Sequence, residues 1–133
     1  MKKISIALLG ASLLAALPAA AQDNAKGEAE LAKAIAGRTA GKPVDCIFQR
    51  DIRSARIIDG TAIVYEMNGG LLYVNRPRSG ASSLDWNNIM VTDTHSSQLC
   101  SIDTVKLIDS GMRMPVGWVG LGDFVPYPRP PKG

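Results

Sequence analysis

Acid–base chemistry near neutral pH has few candidates in this chain, and the only histidine is His95. It sits in Asp93-Thr94-His95-Ser96-Ser97, a run holding the residue types of a hydrolase triad, with Asp103 a second nearby carboxylate. Triad members normally come from separate segments that meet in space, so adjacency is poor support. The chain also has no Gly-x-Ser-x-Gly elbow. His95, Asp93 and Asp103 are therefore candidate catalytic residues for an alternative reading, a small hydrolase or lyase. The favoured reading of the run is a polar turn.

One histidine and two cysteines do not make a zinc ligand set, and no metal is expected. Asp85-Trp86-Asn87-Asn88 offers oxygen ligands, but Met90 stands where a calcium loop needs glycine, so a turn is the better reading. Gly117 to Gly122 lacks the Gly-x-Gly-x-x-Gly order, and Pro126 cuts off any following helix, so no nucleotide cofactor is expected.

The most suggestive local feature is Arg76-Pro77-Arg78-Ser79-Gly80. Two guanidinium groups flank a rigid proline and can hold a carboxylate or phosphate bidentately. Arg76 and Arg78 are thus candidate anion-binding residues. The competing reading is a solvated loop whose arginines pair with nearby acids.

Met1-Lys2-Lys3 followed by the uncharged apolar run Ile4 to Leu17, Pro18 and Ala19-Ala20-Ala21 has the layout of a bacterial signal peptide over residues 1–21. Export to the periplasm, or secretion, is the expectation. No transmembrane segment is expected after cleavage, because no later stretch is long and apolar enough. Of the 15 basic residues, Lys2 and Lys3 belong to this leader, which leaves 13 against 12 acidic ones. A mature net charge of +1 gives no electrostatic case for nucleic acid as a partner. In an oxidising compartment the even pair Cys46 and Cys100 predicts one disulfide. Closing that loop restrains the unfolded chain by about 4 kcal/mol in the loop-entropy account.

The elements that would position these groups are short. Asn24 to Ala36 predicts a helix capped by Asn24 and ended by Gly37, with Leu31, Ala34 and Ile35 as its apolar stripe. Residues 22–43 make this helix and a linker. Beyond Cys46 the pattern is β. Ile52 to Ile58, Thr61 to Glu66 and Leu71 to Asn75 read as strands joined at Asp59-Gly60 and Asn68-Gly69-Gly70. Ile89 to Thr92 and Leu99 to Leu107 read as two more, Ser110 to Gly122 as loop, and Phe124-Val125 as a last edge strand. The expected core is Ile47, Ile57, Ile63, Tyr65, Leu72, Val74, Val91, Leu99, Val105, Leu107 and Phe124. The fold class is mainly β: a small antiparallel sheet or partly closed barrel of about five or six strands, with one N-terminal helix. It occupies 44–127 as a single domain, and a proline-rich tail follows at 128–133.

Several stretches, among them Gly37-Arg38-x-Ala40-Gly41-x-Pro43-Val44-x-Cys46-Ile47, Ile57-Ile58-Asp59-x-Thr61-Ala62-Ile63-Val64-Tyr65, and Leu72 through Ala81, resemble a family of small exported alphaproteobacterial proteins of the sphingomonad type, a domain of unknown function. Thr94-His95-x-Ser97-Gln98-Leu99-Cys100 through Thr104, and Leu121-Gly122-x-Phe124-Val125-Pro126-Tyr127, complete the set. The resemblance implies export, a single domain and the two cysteines at matching places, and it implies no activity.

The function expected from all this is a non-enzymatic periplasmic domain that binds a ligand or supports the envelope. Its partner would be an anionic ligand or an envelope protein. Inhibition of an envelope enzyme is a third reading, by analogy of fold alone.

Overall fold

In the computed structural model, Gly10 and residues 19–132 are described. The leader expected over 1–21 lies outside them apart from Gly10 and the three alanines that open the helix. The domain is mainly β, with one α-helix and three antiparallel sheets among the described residues, and the sheets do not close into a barrel.

Helix α1 spans Ala19–Ala34 and begins earlier than expected. Asn24 lies inside it rather than at its cap, because the alanines before it are strong helix formers and carry the helix upstream. It stops at Ala34, two residues before the expected Ala36, and a turn follows in which the Arg38 N–H donates to the Ile35 carbonyl at 3.1 Å and Gly37 takes the expected left-handed conformation, φ +75°. Gly27 and Leu31 are buried, and Ala34 and Ile35 half-buried, at the i, i+4, i+7, i+8 spacing of one helix face.

The strands are β1 (Cys46–Phe48), β2 (Ile52–Ile58), β3 (Ala62–Met67), β4 (Leu72–Asn75), β5 (Asn88–Thr92), β6 (Gln98–Cys100), β7 (Thr104–Asp109), β8 (Pro115–Gly120) and β9 (Phe124–Tyr127). They form a four-stranded sheet β2-β3-β4-β9, a three-stranded sheet β5-β7-β8 and a ribbon β1-β6. Nine strands rather than five or six arise for three reasons. Cys46–Phe48, which the sequence pattern did not mark as a strand, pairs with β6. The expected strand Leu99 to Leu107 is split by a tight turn, in which the Cys100 N–H donates to Asp103 Oδ2 at 2.7 Å and the Asp103 N–H to the Cys100 carbonyl at 3.0 Å. The expected loop Ser110 to Gly122 contains β8. Its glycines are places of close approach rather than of disorder, since a Cβ on Gly117 would meet the Ser83 side chain at 3.0 Å.

The core lies on both sides of the four-stranded sheet. On the inner side Ile57, Ile63, Tyr65, Met67 and Phe124 pack against Val105, Leu107 and Val119 of the three-stranded sheet, with Ile47, Leu84, Leu99 and Leu121 around them. On the outer side Ile58, Ala62, Val64, Leu72 and Val74 pack under Leu31. The molecule is therefore layered helix, sheet, sheet, and β3 is buried on both faces. Every expected core residue is buried except Val91, which lies on the uncovered outer face of the three-stranded sheet.

Cys46 and Cys100 face each other directly in the β1-β6 ribbon and form the disulfide, with Cα atoms 4.0 Å apart. The proline-rich end is ordered further than expected. Pro126 and Tyr127 belong to β9, an edge strand, where a missing N–H costs no ladder bond. The Pro126 carbonyl accepts from the Gly41 N–H at 2.7 Å, so the linker covers that edge.

Candidate functional site

His95 lies on the exposed turn between β5 and β6 and lines none of the three main clefts. Asp93 is exposed on the same turn. Asp103 is committed to the turn after Cys100, where its carboxylate accepts the Cys100 N–H and its own carbonyl accepts the Leu121 N–H at 3.0 Å. No hydrogen bond among the described residues links the three into a relay.

Arg76 reaches across to α1 and grips Glu28 with both terminal nitrogens, at 2.6 and 3.0 Å. This bidentate bond holds the Glu28 carboxyl below its ordinary range and raises the Arg76 guanidinium, while partial burial opposes both shifts. Arg78 points to Asp123 at 3.6 Å. Each arginine thus faces a carboxylate of the chain itself, and the pair does not converge on one empty anion site. The Asp85 run is a turn: Asp85 Oδ1 accepts the Asn87 N–H at 2.8 Å. Among the described residues no three His, Cys, Asp or Glu side chains come together where a metal could sit. No helix among them is long and apolar enough to cross a membrane.

The structure instead brings together residues that the sequence did not single out. A groove of about 810 Å³ runs along the free edge of β2, within the range of about 300–1,000 Å³ usual for ligand clefts. One wall is α1, through Glu30, Lys33 and Ala34; the other comes from Trp86, Asn88 and Met90 at the start of β5. Its floor is Ala55 to Ile58.

Local sequence explains the opening. Ala55 pairs with Tyr65 and so shares its inward face, yet a methyl group is too short to reach across to the three-stranded sheet. One end of the groove is tied shut, where the Trp86 N–H donates to Asp59 Oδ1 at 2.6 Å and the Gly60 N–H to the Leu84 carbonyl at 3.0 Å. At the other end the Gln49 side chain bonds Thr94. The Trp86 ring is 73% exposed, so its indole stands over the cleft rather than in the core.

The floor presents main-chain polar groups. The Thr61 N–H donates to the Ile58 carbonyl at the hairpin closure, so Ile58 turns its backbone toward β3. In an antiparallel ladder the alternate residues turn theirs away. The N–H and C=O of Ala55 and Ile57 therefore point into the groove, where no strand among the described residues pairs with them. Arg56, between them, projects to the α1 side with Lys33, and neither is in an ion pair among the described residues. With Glu30 on the same rim, the groove carries one net positive charge. The sequence signal was Arg53-Ser54-Ala55-Arg56: a strand whose only apolar side chain in four positions is an alanine methyl reads as an edge strand.

Comparison with known proteins finds no matching family model, curated protein or solved structure. The fold and the site define the class as a small, disulfide-linked, mainly β domain with a groove at a sheet edge.

Proposed function

We propose that the protein is a non-enzymatic binding domain working outside the cytoplasm, and that its ligand occupies the groove along β2. The observation that carries this reading is the groove itself. An exposed indole, an apolar inner wall and unpaired backbone groups converge there, whereas His95, Asp93 and Asp103 are separate and solvated or tied into a turn. Ligand clefts have that mixture of apolar lining with a few placed polar groups. The disulfide supports export, since such bonds persist in oxidising compartments.

An apolar anion, 8-anilinonaphthalene-1-sulfonate, serves as a first probe of the oxidised protein. Its addition should shift the backbone amide resonances of Ala55, Ile57 and Trp86, and Ala55→Trp, which fills the cleft, should abolish those shifts. Amide shifts confined to other surfaces, or unaffected by Ala55→Trp, would remove the groove as the site.

A further inference from the structure

The groove has the attributes of a strand acceptor, and we propose that its ligand is an extended peptide that adds to the free edge of β2. This rests on the groove being the binding site and goes further by naming the ligand class. Three features select an extended peptide over a compact small molecule. First, the floor is a strand edge: Ala55 and Ile57 offer two donors and two acceptors at strand spacing, and only another extended backbone meets them all. Second, the length suits a short strand, because the floor from Ala55 to Ile58 presents four residues at roughly 3.3 Å each. Third, the two walls differ in kind. The wall toward the three-stranded sheet is mainly apolar, with Trp86 and Met90 on either side of Asn88 and beside the small Ala55. The wall toward α1 carries Lys33 and Arg56, with Glu30 the single opposing charge.

A strand laid in the groove directs successive side chains to opposite walls. The peptide therefore alternates: an apolar side chain over Ala55 and Met90, then an acidic one between Lys33 and Arg56. The main chain supplies affinity and the alternation supplies specificity.

The test is selection from a phage-displayed library of random dodecapeptides on the oxidised full chain, followed by titration of synthetic copies. Selected peptides should share an apolar–acidic alternation. Methylating their backbone nitrogens one at a time should weaken binding about tenfold at every second residue and little between. Ala55→Pro removes a groove-facing N–H that takes no part in the β2–β3 ladder, so it should abolish peptide binding while leaving the urea midpoint near that of the parent. Arg56→Glu, which leaves the backbone intact, should weaken the acidic peptides about tenfold and keep the fold.

Peptides that bind with no two-residue periodicity and tolerate Ala55→Pro would overturn strand addition. So would failure to select any peptide while 8-anilinonaphthalene-1-sulfonate still shifts Ala55 and Ile57; the groove would then stand as a site for another ligand class. If the probe also leaves the groove untouched, both proposals fall.

Discussion

The two main sheets share one core, but their outer faces differ. The four-stranded sheet has Ile58, Ala62, Val64, Leu72 and Val74 on its outer face, and α1 covers them through Leu31. The three-stranded sheet carries Ile89, Val91, Val116 and Trp118 on its outer face, and these remain 40–58% exposed. Apolar residues recur on both outer faces, so strand pattern alone does not tell a covered face from a bare one. Cover depends on whether the chain has an element left to supply it. The one α-helix among the described residues lies on the four-stranded sheet, and Gly27 shows how closely it is seated. A Cβ there would fall 2.7 Å from the Asp59 carbonyl oxygen and closer still to the Thr61 hydroxyl.

The comparison is broken most forcefully from the shared core. Phe124 is fully buried and meets Tyr65 and Tyr73 edge-on, at centroid distances of 5.8 and 6.3 Å. Phe124→Ala should cost about 3–5 kcal/mol in urea unfolding, because both sheets lose the side chain they share. A loss near that of a surface change would mean the sheets do not depend on a common core. Next comes Leu31→Ala, which removes the main contact of α1 with the four-stranded sheet. Its expected cost is ~2–3 kcal/mol, below that of Phe124 because one wall of the site is a helix that can settle. A cost under about 0.5 kcal/mol, the scale of surface substitutions, would show that the outer face of the four-stranded sheet is no better covered than that of its neighbour.

What the sequence revealed and concealed follows the same physics. The β2–β3–β4 meander was legible because Asp59-Gly60 and Asn68-Gly69-Gly70 supply left-handed turn positions, and Gly60, Gly69 and Gly70 all adopt positive φ. The disulfide was legible because the expected export and an even count left one pairing. β8 was hidden because Gly117 and Gly120 read as loop, while their role is to let Ser83 and Ser79 approach. The expected strand Leu99 to Leu107 broke because Asp103 bonds its own local backbone, a competition with the ladder that apolar periodicity does not register. The groove was hidden for a different reason. It is defined by what does not pair with β2, and a missing neighbour belongs to the tertiary arrangement. Asn75 was hidden likewise: fully buried, it exchanges two hydrogen bonds with the Gly122 backbone, at 2.7 and 2.9 Å, and so acts as a piece of main chain at the end of β4.

A smaller effect tests how the helix is held on its sheet. Glu28 is depressed below its ordinary value of 4.5 by Arg76, so the folded state favours its ionised form. That contribution is present in full above the unfolded pKa and is lost as pH falls through the lower folded value. Both side chains are about half exposed, at 49% and 56%, so solvent screening holds the effect to about 0.5–1 kcal/mol. Glu28→Gln should therefore be less stable than the parent at pH 7, with the difference closing below pH 4 and shrinking in high salt. A difference that persists unchanged at low pH would mean that the pair does not anchor α1.

The smallest expected effect falls on the bare face. Trp118 stands opposite Lys106, whose ammonium lies 5.5 Å from the ring centroid, an arrangement that keeps a large exposed ring wet on one side and engaged on the other. Trp118→Thr keeps β propensity and removes the ring, and the urea midpoint should move by no more than about 0.5 kcal/mol equivalent. The same substitution should leave peptide binding at β2 unchanged, since the outer face of β8 is not part of the groove lining. A cost of several kcal/mol would show that the face is covered in solution, and the contrast between the two sheets would then lie in which partner covers each one rather than in cover against none.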